Sequence, residues 1–452
     1  MLKRLTPPQL IVISFASIIL LGSLMLMQPL AVNGAPLKFV DALFTSASAV
    51  CVTGLVVVDT GSRFTLLGQW IILVLIQLGG LGIMTFSVVF ILLLGKKLAF
   101  REKILISDTF SHLPVDNIAS LVKQIFFFTF AIESVGALLL FCRWLPEHAW
   151  SHALYLAVFH AISAFCNAGF SPLPDSLMGY RSDILVNLTV MMLIISGGLG
   201  FLVIMELRYY FLRRFQRSRR SLSLHTKLVL TVTLLLIFGG AGLLYFTEQF
   251  HTLQQVPVGE GLLAAVFQSV TARTAGFNTL DIGAFGNASL LVLICLMFVG
   301  ASPGSCGGGV KTTALGVFAM MMWTRMTGKE HVSLYGRTLP RNTIFSAFSI
   351  ITTAGLILVL FLLVLSISEA SSPLPLAVER GRFLNLLFEE VSAFATVGLS
   401  TGITSSLSAF GKCMIVMLMF IGRVGPLTAV LFFARRRPRG NFQYAEEQVM
   451  IG

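Results

Sequence analysis

Four times along this 452-residue chain a short segment that begins at Phe and ends at Gly followed by Leu or Phe lies between two long apolar runs. The segments are Phe44 to Gly54 (FTSASAVCVTG), Phe159 to Gly169 (FHAISAFCNAG), Phe267 to Gly276 (FQSVTARTAG) and Phe388 to Gly398 (FEEVSAFATVG), the third being one residue shorter. A helix needs about 20 apolar residues to cross a hydrocarbon core of roughly 30 Å, so segments of this length can enter a bilayer but not span it. Recurrence at intervals of roughly 110 to 120 residues is the mark of a repeat architecture.

The flanking runs, at 8–31, 66–94, 121–145, 183–212, 225–247, 287–323, 342–368 and 407–434, are long enough to span. Composition agrees: 56% hydrophobic residues, 12% charged and a mean hydropathy of +0.88 are more apolar than a water-facing surface allows. The predicted fold is therefore an all-α integral membrane protein of four membrane-pore-membrane repeats, eight transmembrane helices plus four pore half-helices around one pseudo-fourfold pore. The repeats divide as 1–103, 104–220, 221–334 (with a broken second helix) and 335–434, leaving a tail at 435–452. No polar stretch is long enough for a soluble domain, so a soluble regulator is expected on a separate chain.

A net charge of +12 could suit a nucleic acid, but its distribution reads as topology. Most of the 32 Lys and Arg fall in five groups between alternate spans: Lys3 and Arg4; Lys96, Lys97, Arg101, Lys103 and Lys123; Arg208 to Lys227; Lys311 to Arg341; and Arg435 to Arg439. The positive-inside rule places these groups, and both termini, in the cytoplasm. The run Arg213 to Arg220 suits anionic lipid or a docking partner equally. Lys3 and Arg4 before Leu10 to Met27 resemble a signal peptide, but the apolar run is long and no small-residue cleavage site follows, so it reads as the first span. The six cysteines have no paired spacing, which points to neither disulfides nor zinc.

A pore loop returns through the membrane as extended backbone, tolerated only where it lines an aqueous path. Glycine at the turn lets neighbouring carbonyls point inward as substitutes for the hydration shell of a cation. The half-helices then aim their partially negative C-terminal ends at the axis, which favours cations over anions. The predicted ion-binding residues are Val52, Thr53 and Gly54; Asn167, Ala168 and Gly169; Thr274, Ala275 and Gly276; and Thr396, Val397 and Gly398. One such glycine alone would be an ordinary packing residue. Fourfold recurrence argues otherwise.

The second span of each repeat also carries small residues: Gln77 to Gly82, Ser196 to Gly200, Gly300 to Gly309, and Gly422 to Pro426. The first two read as close-packing sites. The third holds Pro303 and five glycines, which cannot sustain a helix, and residues 300–313 are predicted to form a mobile gate with Gly304, Ser305, Gly307, Gly308, Gly309 and Lys311. A nucleotide-binding loop is the competing reading of Gly304 to Thr312, but the inserted Val310 and the absence of a preceding strand pattern oppose it. Arg423, mid-span, needs an acceptor and is predicted to hydrogen-bond backbone in the gate or near the filter; the alternative is snorkelling to an interface. Lys311 reads as closer to an interface than Arg423. Glu133 and Glu206 read as partners of nearby basic residues, and His160 as structural.

These features together, the fourfold plan, one glycine per repeat, Gly-Ser-Cys-Gly-Gly-Gly-Val-Lys-Thr-Thr at 304–313 and Gly-Arg-Val-Gly-Pro at 422–426, resemble the Trk/Ktr/HKT superfamily of potassium transporters over essentially the whole chain. Beginning directly with the first repeat helix, the chain is most similar to the Ktr-type membrane subunit, Trk-type subunits having two further N-terminal helices. The resemblance implies potassium uptake across a bacterial plasma membrane, a homodimer with one pore per subunit, a cytoplasmic ring of regulatory subunits that bind a nucleotide, and a sodium dependence to be tested. It also implies potassium selectivity from glycine at all four filter positions, Gly54 included. No cofactor is legible in this chain. A sodium-coupled or alternating-access carrier is the alternative, but its repeats would be inverted or grouped in halves. An enzyme would need acid, base or metal-ligand clusters within the spans, and none appears in the sequence.

Overall fold

The computed structural model describes residues 7–82, 118–215, 222–370 and 376–425. The basic groups at Lys3 and Arg4, Lys96 to Lys103, Arg217 to Arg220 and Arg435 to Arg439 lie outside these residues, as do the ends of the second and last predicted spans and the tail at 435–452.

The first repeat runs α1 (Pro7–Leu26), α2 (Phe39–Val50) and α3 (Leu66–Gly80). The second runs α4 (Ile118–Trp144), α5 (Trp150–Phe165), α6 (Ile184–Leu199) and α7 (Phe201–Phe215). The third has α8 (Leu224–Glu248), α9 (Val258–Thr271), α10 (Asn287–Phe298) and α11 (Thr312–Met326), followed by a hairpin of β1 (Ser333–Leu334) and β2 (Arg337–Thr338). The fourth has α12 (Arg341–Ser368), α13 (Leu376–Ala395) and α14 (Ala409–Val424). Capping residues start several helices where their first N–H groups need acceptors: Thr65 for α3, Asp183 for α6, Ser223 for α8 and Ser408 for α14.

The burial pattern is that of a protein in lipid. Among the described residues α4, α8 and α12 are long and apolar enough to cross a membrane, and their outer faces expose large apolar side chains, with Leu235 at 68% and Leu356 at 71%. The centre holds α2, α5, α9 and α13, whose leading phenylalanines, Phe44, Phe159, Phe267 and Phe388, are fully buried beside Ser46, Ser48, Ser163, Ser269 and Ser392. Apolar outside and polar groups within invert the soluble pattern.

Each second helix packs on the pore helix of the next repeat: α3 on α5, α6 on α9, α10 on α13 and α14 on α2. The last contact closes the ring, and there Lys412 Nζ lies 2.8 Å from Asp41 Oδ1. Within a repeat, the second helix meets its own pore helix through a glycine set on a backbone carbonyl. A Cβ at Gly79 would lie 2.0 Å from the Val50 oxygen, at Gly197 1.8 Å from that of Phe165, and at Gly422 1.7 Å from that of Phe394. The position after these glycines holds Gly80, Gly198 and Arg423 in repeats 1, 2 and 4, and Ala301 after Gly300 in repeat 3.

The second spans are shorter than the sequence windows, which requires a correction. Close packing describes Gly79 and Gly197, but Gly82 and Gly200 do something else: they end their helices with φ of +77° and +89°, and Gly425 does the same in repeat 4 with +95°. At Gly200 the chain turns by 103° between α6 and α7, so the predicted span 183–212 is a broken one. A left-handed residue at a helix end cannot continue the i to i−4 ladder, and glycine adopts that conformation without a Cβ clash. In repeat 3 the helix stops at Phe298 and resumes at Thr312, with the glycine-rich loop between.

The carbonyl contact at Gly197 sets a stability test. Gly197→Ala should lower the melting temperature of the detergent-solubilised protein, with overpacking costing about 1–3 kcal/mol. Gly239→Ala, whose Cβ meets nothing within 4 Å, should leave it unchanged or slightly raised.

Candidate functional site

The segments after the four pore helices share one backbone form. Val52, Asn167, Thr274 and Thr396 all have positive φ, at 57°, 61°, 75° and 54°, and two residues later so do Gly54, Gly169, Gly276 and Gly398. Left-handed conformations at non-glycine residues are uncommon and mark functional strain when they recur at equivalent places. Alternation of this kind turns successive carbonyls to one side, the arrangement a line of cation ligands requires.

The four segments close on one another in chain order. A Cβ at Gly54 would sit 2.4 Å from the Ala168 oxygen, at Gly169 2.6 Å from that of Ala275, at Gly276 2.4 Å from that of Val397, and at Gly398 2.0 Å from that of Thr53. Every glycine thus lies against the carbonyl that precedes the glycine of the next repeat, and the fourth returns to the first. Residues Val52, Asn167, Thr274 and Thr396 form the next layer. Asn167 donates to the Ala164 and Phe165 carbonyls and accepts from Thr274 Oγ1 at 3.1 Å, while Thr396 Oγ1 accepts from the Gly308 amide at 3.0 Å.

Two sets of supporting residues were missed from sequence. Ser48 and Ser392 accept from the amides of Gly54 and Gly398, both at 3.1 Å, and Ser163 donates to the Phe170 carbonyl at 2.8 Å. Each lies four residues after the leading phenylalanine, a Phe-x-x-x-Ser/Thr pattern visible in all four segments once the hydroxyl is asked for a partner. One residue after the phenylalanine, His160 contacts Ser171 Oγ at 3.0 Å and Glu389 accepts from the hydroxyls of Ser400 and Thr404. These side chains tie the far side of the loop to the pore helix.

The glycine-rich loop lies against this ring and touches the second, third and fourth repeats. Gly300 N donates to Val310 O at 2.9 Å, closing the loop at its neck. Ser302 N and Cys306 N donate to the carbonyls of Gly198 and Gly197 at 3.0 and 3.1 Å, and Phe201 N donates to Gly304 O at 3.1 Å, so the break in the second repeat is the cradle for the loop. At Gly307 a Cβ would meet Thr274 Oγ1 at 2.2 Å, and at Gly308 Thr396 Oγ1 at 2.5 Å; side chains there would collide with the layer above. Arg423 donates to Cys306 O of the loop and to Gly79 O of α3, joining three repeats. Lys311 is no bystander at an interface: its Nζ donates to Gly307 O at 2.7 Å. Gly309 lies against the Ala395 backbone, and Ser305 Oγ donates to Ser302 O.

Two acidic residues have partners other than the predicted cations. Glu133 accepts from Gln77 Nε2 at 3.2 Å with Cys166 Sγ beside it, an amide serving where a salt bridge was expected. Glu206 accepts from Ser223 Oγ at 2.7 Å and from Thr226 Oγ1, and so braces the start of α8. His160, between Trp144 and Phe277 and bonded to the Leu156 carbonyl, holds a structural place.

A family model described as TrkH, cation transport protein, matches residues 7–444. The chain is 41% identical to Ktr system potassium uptake protein B of Bacillus subtilis (strain 168), over 99% of this chain and 97% of that protein. It is 39% identical to Ktr system potassium uptake protein B of Vibrio alginolyticus, over 98% and 95% respectively. In fold it is similar to the crystal structure of the potassium transporter TrkH from Vibrio parahaemolyticus, with a TM-score of 0.73 at 17% identity, covering 95% of this chain and 86% of that one.

The hydrogen bond between Gly308 and Thr396 can be tested without reference to activity. Thr396→Val keeps the shape and removes the acceptor, and amide exchange across 304–311 should accelerate by roughly three- to tenfold in hydrogen-exchange mass spectrometry.

Proposed function

The chain belongs to the TrkH family of cation transport proteins, a transporter rather than an enzyme, and on that footing we propose that it takes up potassium through the axis of the glycine ring. The observation that carries this is the cyclic contact of four glycines with four carbonyls. A potassium ion entering from outside exchanges hydration water for the carbonyls of Thr53, Ala168, Ala275 and Val397 and their neighbours. The negative ends of α2, α5, α9 and α13 lower the cost of holding it there.

Below the filter the glycine-rich loop blocks the path. Arg423 and Lys311 pin it by its own carbonyls and place two positive charges beneath the ring, which oppose a cation until they move. Opening requires release of the bonds from Gly308 to Thr396, from Arg423 to Cys306 and from the loop amides to Gly197 and Gly198. Each of these bonds has a loop peptide group on one side, which makes the seat a set of individually modest contacts.

Two relatives carry the name of a Ktr system, a name that fits a multi-subunit assembly. We assign to this chain a homodimer in the bacterial plasma membrane, both termini in the cytoplasm, and a separate cytoplasmic nucleotide-binding ring that acts on the gate. The repeat boundaries at 103, 220, 334 and 434 belong to the same proposal. A ring of four repeats in chain order supports a pore over an alternating-access carrier, whose repeats typically pair across a midplane substrate site.

Flux into liposomes containing only this chain tests the proposal. Native protein should pass potassium over sodium; Gly54→Ser, which forces a Cβ 2.4 Å from the Ala168 oxygen, should lower that preference roughly tenfold for an overpacking cost of about 1–3 kcal/mol. Arg423→Ala should raise flux several-fold in the absence of any regulator. Absence of cation flux from the native chain, with or without a cytoplasmic partner, would overturn the pore.

A further inference from the structure

The four filter segments are not held alike. In repeats 1 and 4 the pore-helix hydroxyl accepts from the filter glycine itself, Ser48 from Gly54 and Ser392 from Gly398, and in repeat 2 Ser163 holds the Phe170 carbonyl. Repeats 2 and 4 add a second tie, His160 to Ser171 and Glu389 to Ser400 and Thr404. The third repeat has polar residues at both equivalent positions, Thr271 and Gln268, and neither reaches a protein partner. Thr271 Oγ1 and both amide atoms of Gln268 are unpartnered although the residues are 0% and 1% exposed. Thr279, three residues past the filter glycine as Thr401 is in repeat 4, is 2% exposed with its hydroxyl unpartnered as well.

The missing residue in this segment accounts for the difference. With one residue fewer between Phe267 and Gly276, the chain leaves the helix sooner. The Ala275 amide takes the Thr271 carbonyl at 2.9 Å, as the residue before the glycine does in the other three repeats, but the Gly276 amide falls toward that same oxygen at 3.5 Å, whereas those of Gly54 and Gly398 meet the hydroxyl. The hydroxyl and the carboxamide are left without a protein partner.

Buried amides and hydroxyls are rarely left without partners. Gln268 offers two donors and an acceptor and Thr271 one of each, a set that suits a neutral molecule able to donate and accept at once. A bound cation would leave the Gln268 nitrogen unanswered, and an anion its oxygen. Resting on the pore described above, we propose that ordered water bound by Gln268 and Thr271 holds the third filter segment from behind, and that Gln268 is the positioning residue through which this segment contributes to discrimination between potassium and sodium. Because Gly307 of the gate meets Thr274 of the same segment, the water-held segment is also one of the two against which the gate is seated, the other being that of Thr396.

The test reads the potassium-to-sodium permeability ratio from reversal potentials of the full chain in planar bilayers, with Ser392→Ala as the control for a directly held segment. Gln268→Leu, near in volume and unable to bind water, should lower the ratio roughly three- to tenfold, the effect of one lost net hydrogen bond. Thr271→Val should lower it in the same direction, and the double variant should fall no further than the stronger single one, since both hold the same water. Gln268→His, which restores donor and acceptor as in repeat 2, should recover most of the ratio and also serves if Gln268→Leu does not fold. A ratio unchanged in both Gln268→Leu and Thr271→Val while Ser392→Ala lowers it would overturn the water-held segment and leave the pore standing. Additive losses in the double variant would overturn the shared site. Native protein without potassium preference would instead remove the filter on which the proposal rests.

Discussion

The whole arrangement depends on backbone meeting backbone at a distance that excludes a Cβ. At the ring each glycine lies against the carbonyl of the next repeat, and on the flank of each of three pore helices a second glycine sits on a carbonyl of the last helical turn. Side chains hold ordinary membrane helices apart by 8–10 Å. Removing them at these positions draws four polypeptide segments together until glycine meets carbonyl oxygen around the ring. In the first, second and fourth segments the strain of a left-handed non-glycine residue is sustained as the hydroxyls of Ser48, Ser163 and Ser392 and the carboxylate of Glu389 hold the loops from behind.

The glycine-rich loop uses the same chemistry toward another end. It is buried yet has little apolar side chain of its own to bury, and its attachment to the cradle at Gly197 and Gly198 is through peptide groups. Such contacts are directional and individually modest, so the loop has a defined seat without the deep apolar packing that would make leaving it slow. Arg423 and Lys311 add cations that donate to carbonyls, which ties the placement of two charges to the placement of the loop.

Periodicity and length in the sequence reveal the fold well, because apolar runs and recurrent glycines are one-dimensional signals. The twelve residues of the four segments are brought together by the structure, and Pro303 with its glycines does interrupt the helix. What stayed illegible depended on three-dimensional neighbours. Gly200 looks like Gly197 and Gly198 in sequence, yet it turns the chain where they pack, since only its backbone angle distinguishes it. Glu133 and Glu206 were paired with cations by sequence proximity, whereas their partners are an amide 56 residues away and the hydroxyls at the start of α8. The serines were visible but silent, because a hydroxyl in a pore helix acquires meaning only when the returning loop passes within 3.1 Å of it.

Arg423 occupies the position that Gly80, Gly198 and Ala301 hold in the other three repeats. Four identical subunits around an axis could not carry such a difference; an arginine there would appear four times, and four guanidinium groups would crowd each other and any cation beneath the ring. Concatenating the repeats in one polypeptide frees each quadrant to diverge while the shared geometry is kept. One quadrant can then supply a charge, another a flexible loop, another the cradle for it, and another the carbonyl that anchors the charge. In the proposed pore the fourfold frame makes the path, and the loss of exact symmetry makes it controllable.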